Sequence, residues 1–173
     1  MPSTELILHL TRTFASVSTT TLGTAITGQT VGPSQLGGLF YEPLPVPRDY
    51  DRSRPGYLYA ALANTGIVGP PTGAVVIQST RTLAPPPGPP SNLTLSQTFT
   101  PPANWDASNW LLLELLNAGG PYFPASSIAD QSLLGIRISR DGPNAADTWT
   151  ATLTILEFAV LRYNRLCHIC TLC

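Results

Sequence analysis

The sequence predicts an all-β protein, a β-sandwich or jelly-roll-like fold with extended N-terminal and proline-rich arms. Three observations carry that expectation. Among 173 residues there are 18 Pro, 14 Gly and 21 Thr, so turn formers and β-formers outweigh helix formers. Apolar and hydroxyl-bearing residues alternate with period two in short pieces, and no helical period of useful length appears. The pieces are separated by long proline loops instead of tight Asn-Gly turns, which favours Greek-key crossings between two sheets.

From the N-terminus, Leu6, Leu8 and Leu10 share one face of a strand against Glu5, His9, Thr11 and Thr13. Residues 15 to 38, rich in Ser, Thr and Gly, allow one irregular strand around Gly23 to Thr30. Residues 40 to 56 hold Pro43, Pro45, Pro47 and Pro55, with five charges from Arg48 to Arg54. Proline removes backbone donors and fixes φ, so this stretch reads as an extended surface loop. Tyr57 to Ala63 and Ala74 to Leu83 read as strands, and Pro85-Pro86-Pro87-Gly88-Pro89-Pro90 as a crossover loop.

Leu93, Leu95, Gln97 and Phe99 alternate with Thr94, Ser96 and Thr98, a strand with one buried face. Trp110 to Leu116 reads as a strand against the alternative of a short helix capped by Asp106, because Gly119-Gly120-Pro121 leaves too few residues for a stable helix. Leu134, Ile136 and Ile138 mark another strand. Thr148 to Tyr163 is the longest, with Trp149, Ala151, Leu153 and Ile155 on one face. The organisation is a single domain over residues 1–173, with extended loops at 40–56 and 84–91 and a Cys-rich tail at 164–173.

Composition narrows function. Charged residues are 11% of the chain, against about 25% in ordinary soluble domains. The net charge is −1, which argues against a nucleic-acid partner. All nine basic residues are Arg, so lysine Schiff bases and the P-loop are excluded. No run reaches the 18 or so apolar residues of a spanning helix, and Met1 to Leu10 lacks the flanks of a signal peptide, so neither a membrane partner nor a leader is expected.

Each candidate site has a plainer structural reading. Cys167, His168, Cys170 and Cys173 offer four soft ligands, yet structural zinc sites take pairs from separate elements, so buried thiols or subunit contacts are expected instead. Asp141, Asn144 and Asp147 lack the spacing of a calcium loop and read as a turn whose side chains bond its own backbone. Asp49 and Asp51 lie among Arg48, Arg52 and Arg54, where pairing holds both carboxylates ionised; the cluster reads as a solvated loop or a docking surface. Asn92-Leu93-Thr94 is a glycosylation acceptor only in a secreted chain. Trp105, Trp110 and Trp149 read as core anchors more readily than as a sugar platform. No catalytic, cofactor-binding or metal-binding residue is assigned.

The stretch Ile138-Ser139-Arg140-Asp141-Gly142, followed by Ala146-Asp147-Thr148-Trp149-Thr150-Ala151 and closing with Phe158 to Tyr163, resembles a motif of tailed-phage virion proteins, in which such a hairpin joins the last two strands of a β-sandwich. The Thr- and Pro-rich, Lys-free remainder is similar in character to phage capsid decoration (cement) proteins, although the Cys-rich tail departs from that pattern. The resemblance implies a non-enzymatic homotrimer on the virion surface, made in the host cytoplasm, that binds the major capsid protein and bridges capsomers. Expected contact segments are residues 1 to 5, Leu44 to Arg54, and Pro85 to Pro90. The alternative is a tail-fibre or receptor-binding β-sandwich recognising host glycan. An enzyme such as a polysaccharide hydrolase ranks third, because no pair of carboxylates can be argued from spacing.

Overall fold

A computed structural model describes residues 4–11, 19–22, 26–48, 50–64, 72–105, 109–129 and 131–165. In chain order the strands are β1 (Thr4–Thr11), β2 (Thr19–Leu22), β3 (Ile26–Val31), β4 (Leu36–Pro45), β5 (Tyr57–Asn64), β6 (Val75–Ala84), β7 (Ser91–Phe99), β8 (Trp110–Asn117), β9 (Gly120–Pro121), β10 (Leu133–Asp141) and β11 (Leu153–Arg165). Among the described residues there is no helix. Trp110 to Leu116 is a strand, as its punctuation indicated.

The strands form two antiparallel sheets, a β-sandwich. The seven-stranded sheet runs β2-β3-β11-β5-β8-β9, and the four-stranded sheet runs β4-β10-β6-β7. β11 is the spine of the larger sheet. One of its edges is shared by β3, opposite Leu153 to Leu156, and β1, opposite Phe158 to Arg165. β5 pairs along the other edge, with its register shifting between Ile155 and Ala159. Consecutive strands β3, β4, β5 and β6 alternate between the sheets, as do β7 and β8, β9 and β10, and β10 and β11, so the chain crosses repeatedly from layer to layer.

Core residues come from the inward faces of both layers. Leu58, Ala60, Leu62, Leu153, Ile155 and Ala159 meet Val75, Ile77, Leu134, Ile136 and Ile138, and Trp105 packs on Trp149 with ring centroids 5.9 Å apart. β7 buries only half of each inward residue, as expected of an edge strand.

Several expectations need correction. Phe40 to Pro45 do not belong to a surface loop but to β4, which pairs with β10. Leu44 faces Leu134 and Tyr41 faces Ile136, so Glu42 and Pro43 together oppose the single residue Gly135. An edge strand with a bulge tolerates proline, because the missing N–H was never needed by the ladder. The loop therefore starts at Val46, whose own side chain is buried. The strand expected around Gly23 to Thr30 is β3, and residues 15 to 38 also yield β2, its hairpin partner, and the start of β4. Pro85 to Pro90 does not cross between sheets; it closes the β6–β7 hairpin, with the Gly88 N–H donating to Pro85 O at 2.6 Å.

The long C-terminal strand begins at Leu153 instead of Thr148, because the Thr148 and Trp149 N–H groups both turn to Ala74 O. The Arg-Asp-Gly stretch does join the last two strands, but not as a hairpin: β10 lies in one sheet and β11 in the other. The expected N-terminal arm is in part β1, where Thr4 and Glu5 face Arg165 and Asn164. β11 takes in Asn164 and Arg165 from the expected tail, and Cys167, His168, Cys170 and Cys173 lie outside the described residues, as do Met1 to Ser3 and Asp49.

Candidate functional site

The two outer faces of the sandwich differ in chemistry, though among the described residues each exposes three large apolar side chains. Cross-strand register sets the outward row of the seven-stranded sheet. Ala63 lies opposite Trp110, Ala61 opposite Leu112, Val160 opposite both His9 and Tyr59, and Arg162 opposite both Ile7 and Tyr57. Ala61, Ala63 and Leu156 are buried here in a small second cluster with Phe158, and the Trp110 ring meets the Phe158 ring edge-on at 5.7 Å. Beside that cluster Trp110 is 47% and Leu112 45% exposed, and Ile7, across from Arg162 on β1, is 55% exposed. Antiparallel sheets normally turn a polar face to water. This one presents mainly aliphatic and aromatic side chains, with Glu114 and Arg162 among them.

The four-stranded sheet is more polar, although Leu36, Phe40 and Leu133 stand exposed on β4 and β10. Its outward rows carry Thr80, Thr82, Asn92, Thr94 and Ser96, with hydroxyls bonded across strands: Thr80 and Thr94 are 3.0 Å apart, and Thr82 Oγ1 donates to Asn92 Oδ1 at 2.7 Å. One row reads Phe40, Arg137, Thr80, Thr94 from β4 to β7, and the next reads Gly135, Thr82, Asn92. The Arg137 guanidinium sits 5.1 Å from the centroid of the Phe40 ring. Because Gly135 contributes no side chain, an open recess of about 390 Å³ lies between Phe40, Pro43, Thr82, Asn92 and Arg137.

The Asp141 to Asp147 oxygens bond protein groups. Asn144 Oδ1 accepts from the Ala146 N–H, and Asn144 Nδ2 donates to Asp141 Oδ2. Asp147 Oδ2 accepts from the Val76 N–H and from Arg140 Nε. The turn reading holds for Asn144, but Asp147 does not bond the turn's own backbone: its carboxylate pairs with the buried Arg140 and the Val76 N–H. Among the described residues no group of three or more His, Cys, Asp or Glu side chains is placed to hold a metal ion.

The other anticipated segments are distributed differently. Leu44 to Arg54 is anchored, not free: Val46 and Tyr50 are buried, the Asp51 N–H donates to Asn164 O, and Asp51 Oδ1 accepts from the Ser53 N–H and hydroxyl. Arg54 Nε lies 3.4 Å from Asp51 Oδ2. Pro86 to Pro90 is exposed at a hairpin tip. Trp105 and Trp149 are core anchors, whereas Trp110 faces outward. His9 is in β1, opposite Val160.

No protein-family model, curated protein or solved structure matches the chain. Its functional reading therefore rests on the two faces themselves. Neither was visible in the sequence as a site. The one signal was the unbroken apolar run Trp110 to Leu113, since a strand covered on both faces is continuously apolar where a half-solvated one alternates.

Proposed function

We propose that this protein is a non-enzymatic structural component of a virion, a capsid decoration (cement) protein that docks as a homotrimer on the major capsid protein. The observation that carries this reading is the outer face of the seven-stranded sheet, where Trp110 and Leu112 stand half-exposed beside the Ala61, Ala63, Leu156 and Phe158 cluster and Ile7 is exposed on β1 of the same sheet. A contiguous face of that kind on a soluble domain marks a contact surface. A protein that binds only the assembled lattice stabilises it by mass action, with no chemistry required. The resemblance of Arg140 to Ala151 to a phage virion motif adds the choice of assembly.

The test is particle-based. Cryo-electron microscopy and quantitative mass spectrometry of the purified virus should find hundreds of copies at repeated positions between capsomers, with the larger sheet turned toward the shell. Particles lacking the protein should show those positions empty and should lose stability to heat. Particles of normal stability without it, or a copy number of a few per virion, would overturn the proposal.

A further inference from the structure

Docking through the apolar face leaves the threonine-rich face outward, and that face contains a second site. We propose that the recess beside Arg137 binds a saccharide bearing a carboxylate, of the uronic or sialic acid type. Arg137 has no hydrogen bond or ion pair with any other described residue; its one neighbour of note is the Phe40 ring. Its Nε is closed to solvent, so it is the terminal Nη1 and Nη2 groups that a ligand carboxylate meets. An unopposed guanidinium is a receptor for a planar anion, and its paired N–H groups match a carboxylate.

The rest of the recess suits a polyol. Since Asn92 Oδ1 is occupied by the Thr82 hydroxyl, the Asn92 amide hydrogens remain as donors, and the oxygens of Thr80 and Thr82 remain as acceptors. Phe40, 64% exposed, and Pro43 supply an apolar wall for the C–H face of a sugar ring. The volume falls in the range of about 300–1,000 Å³ typical of small-ligand sites. Gly135 is the floor: a Cβ there would meet Thr82 Cβ at 3.7 Å, an ordinary contact, so a larger side chain fills the recess without disturbing the backbone.

The experiment is a titration of the full-length protein with digalacturonate and sialyllactose, followed by calorimetry and by chemical-shift changes, with lactose as the neutral control. At least one acidic sugar should bind with a Kd on the order of 1 mM or tighter, and lactose at least tenfold more weakly. Arg137→Gln should lose tenfold or more, and Gly135→Val should abolish binding, both with unchanged circular dichroism and melting temperature. Equal binding of lactose, no binding of either acid, or retention of binding in both variants would overturn the proposal. So would an acidic peptide, Ac-Asp-Glu-Asp-NH2, that binds as tightly at the same residues. A variant that melts early is replaced by Thr82→Val, which deletes a recess hydroxyl and must weaken binding for the proposal to stand.

Discussion

Arg140 and Asp147 form a two-pronged ion pair inside the sandwich, Nε to Oδ2 at 3.0 Å and Nη2 to Oδ1 at 2.6 Å, with both side chains essentially inaccessible to water. The other guanidinium hydrogens go to backbone: Nη1 donates to Val31 O and Ala151 O, and Nη2 to Trp149 O. All five donors are thereby used. Asp147 in turn holds the Val76 N–H at 3.0 Å. One pair thus ties the end of β10 to β3, to β6 and to the segment that crosses toward β11, which links both sheets where the chain changes layer.

Breaking that pair from one side leaves a buried charge unmatched. Asp147→Asn is expected to destabilise the fold by about 3–5 kcal/mol, because the desolvated guanidinium loses its counter-charge. Arg140→Met should cost a similar amount and orphan three carbonyls. The double variant Arg140→Met/Asp147→Leu should cost clearly less than the sum of the singles. Urea unfolding of the four proteins measures this; an Asp147→Asn loss below about 1 kcal/mol, or strict additivity, would contradict the role.

Two glycines in the left-handed region separate backbone strain from crowding. Gly119, at φ +79° in the turn between β8 and β9, has open space where a methyl group would stand, with nothing within 4 Å, so Gly119→Ala should cost only the left-handed penalty of about 1–2 kcal/mol. Gly73, at φ +101°, would place its Cβ 2.5 Å from Thr148 O, beside the Ala74 carbonyl that anchors Thr148 and Trp149. Gly73→Ala should therefore cost distinctly more and loosen the crossing segment. Paired thermal melts decide it, and equal losses would count against the packing argument.

What the sequence revealed, and what it hid, follows from the range of each interaction. β7 and β10 were legible because their alternation is local and each has one face toward the core. β4 was hidden by Pro43 and Pro45, since a rule about missing N–H groups cannot know which ladder positions are unneeded at an edge or a bulge. The burial of Arg140 was illegible, because it depends on carbonyls from Val31 and Trp149 that only the fold brings together. The recess was illegible for the same reason: Phe40, Arg137, Thr82 and Asn92 come from four strands, and their rows exist only once the register is set.

Stability should fall on the alkaline side. Burial pushes the Tyr41 phenol far above its ordinary value of 10, with the Glu157 charge adding to it, and burial also raises Tyr50 and Tyr122. A raised native value means that the folded state keeps its proton where the unfolded chain has lost it, so unfolding is increasingly favoured as pH rises above about 10. Each such tyrosine contributes up to about 1.4 kcal/mol per pH unit until its native value is passed. The Tyr41 hydroxyl also donates to Leu156 O at 2.9 Å. Tyr41→Phe should therefore lose about 1–3 kcal/mol at neutral pH, and the gap to wild type should narrow above about pH 10. Parallel stability curves from about pH 7 to 11 would refute this.

The apolar face makes the last prediction. Ile7 and Leu112 are both half-exposed on the outward side of the seven-stranded sheet, and neither belongs to the buried core. Replacing both with lysine removes aliphatic surface and adds two positive charges, yet surface changes of this kind usually stay within about 0.5 kcal/mol each in fold stability. In an assembly that buries this face the same two ammonium groups must be desolvated without partners, a cost of several kcal/mol per ion. Ile7→Lys/Leu112→Lys is therefore expected to melt close to wild type while losing self-association in light scattering and occupancy on particles. Thr94→Lys, a single charge on the opposite face, is expected to keep both. A double variant that assembles and occupies particles normally would show that the contact lies elsewhere.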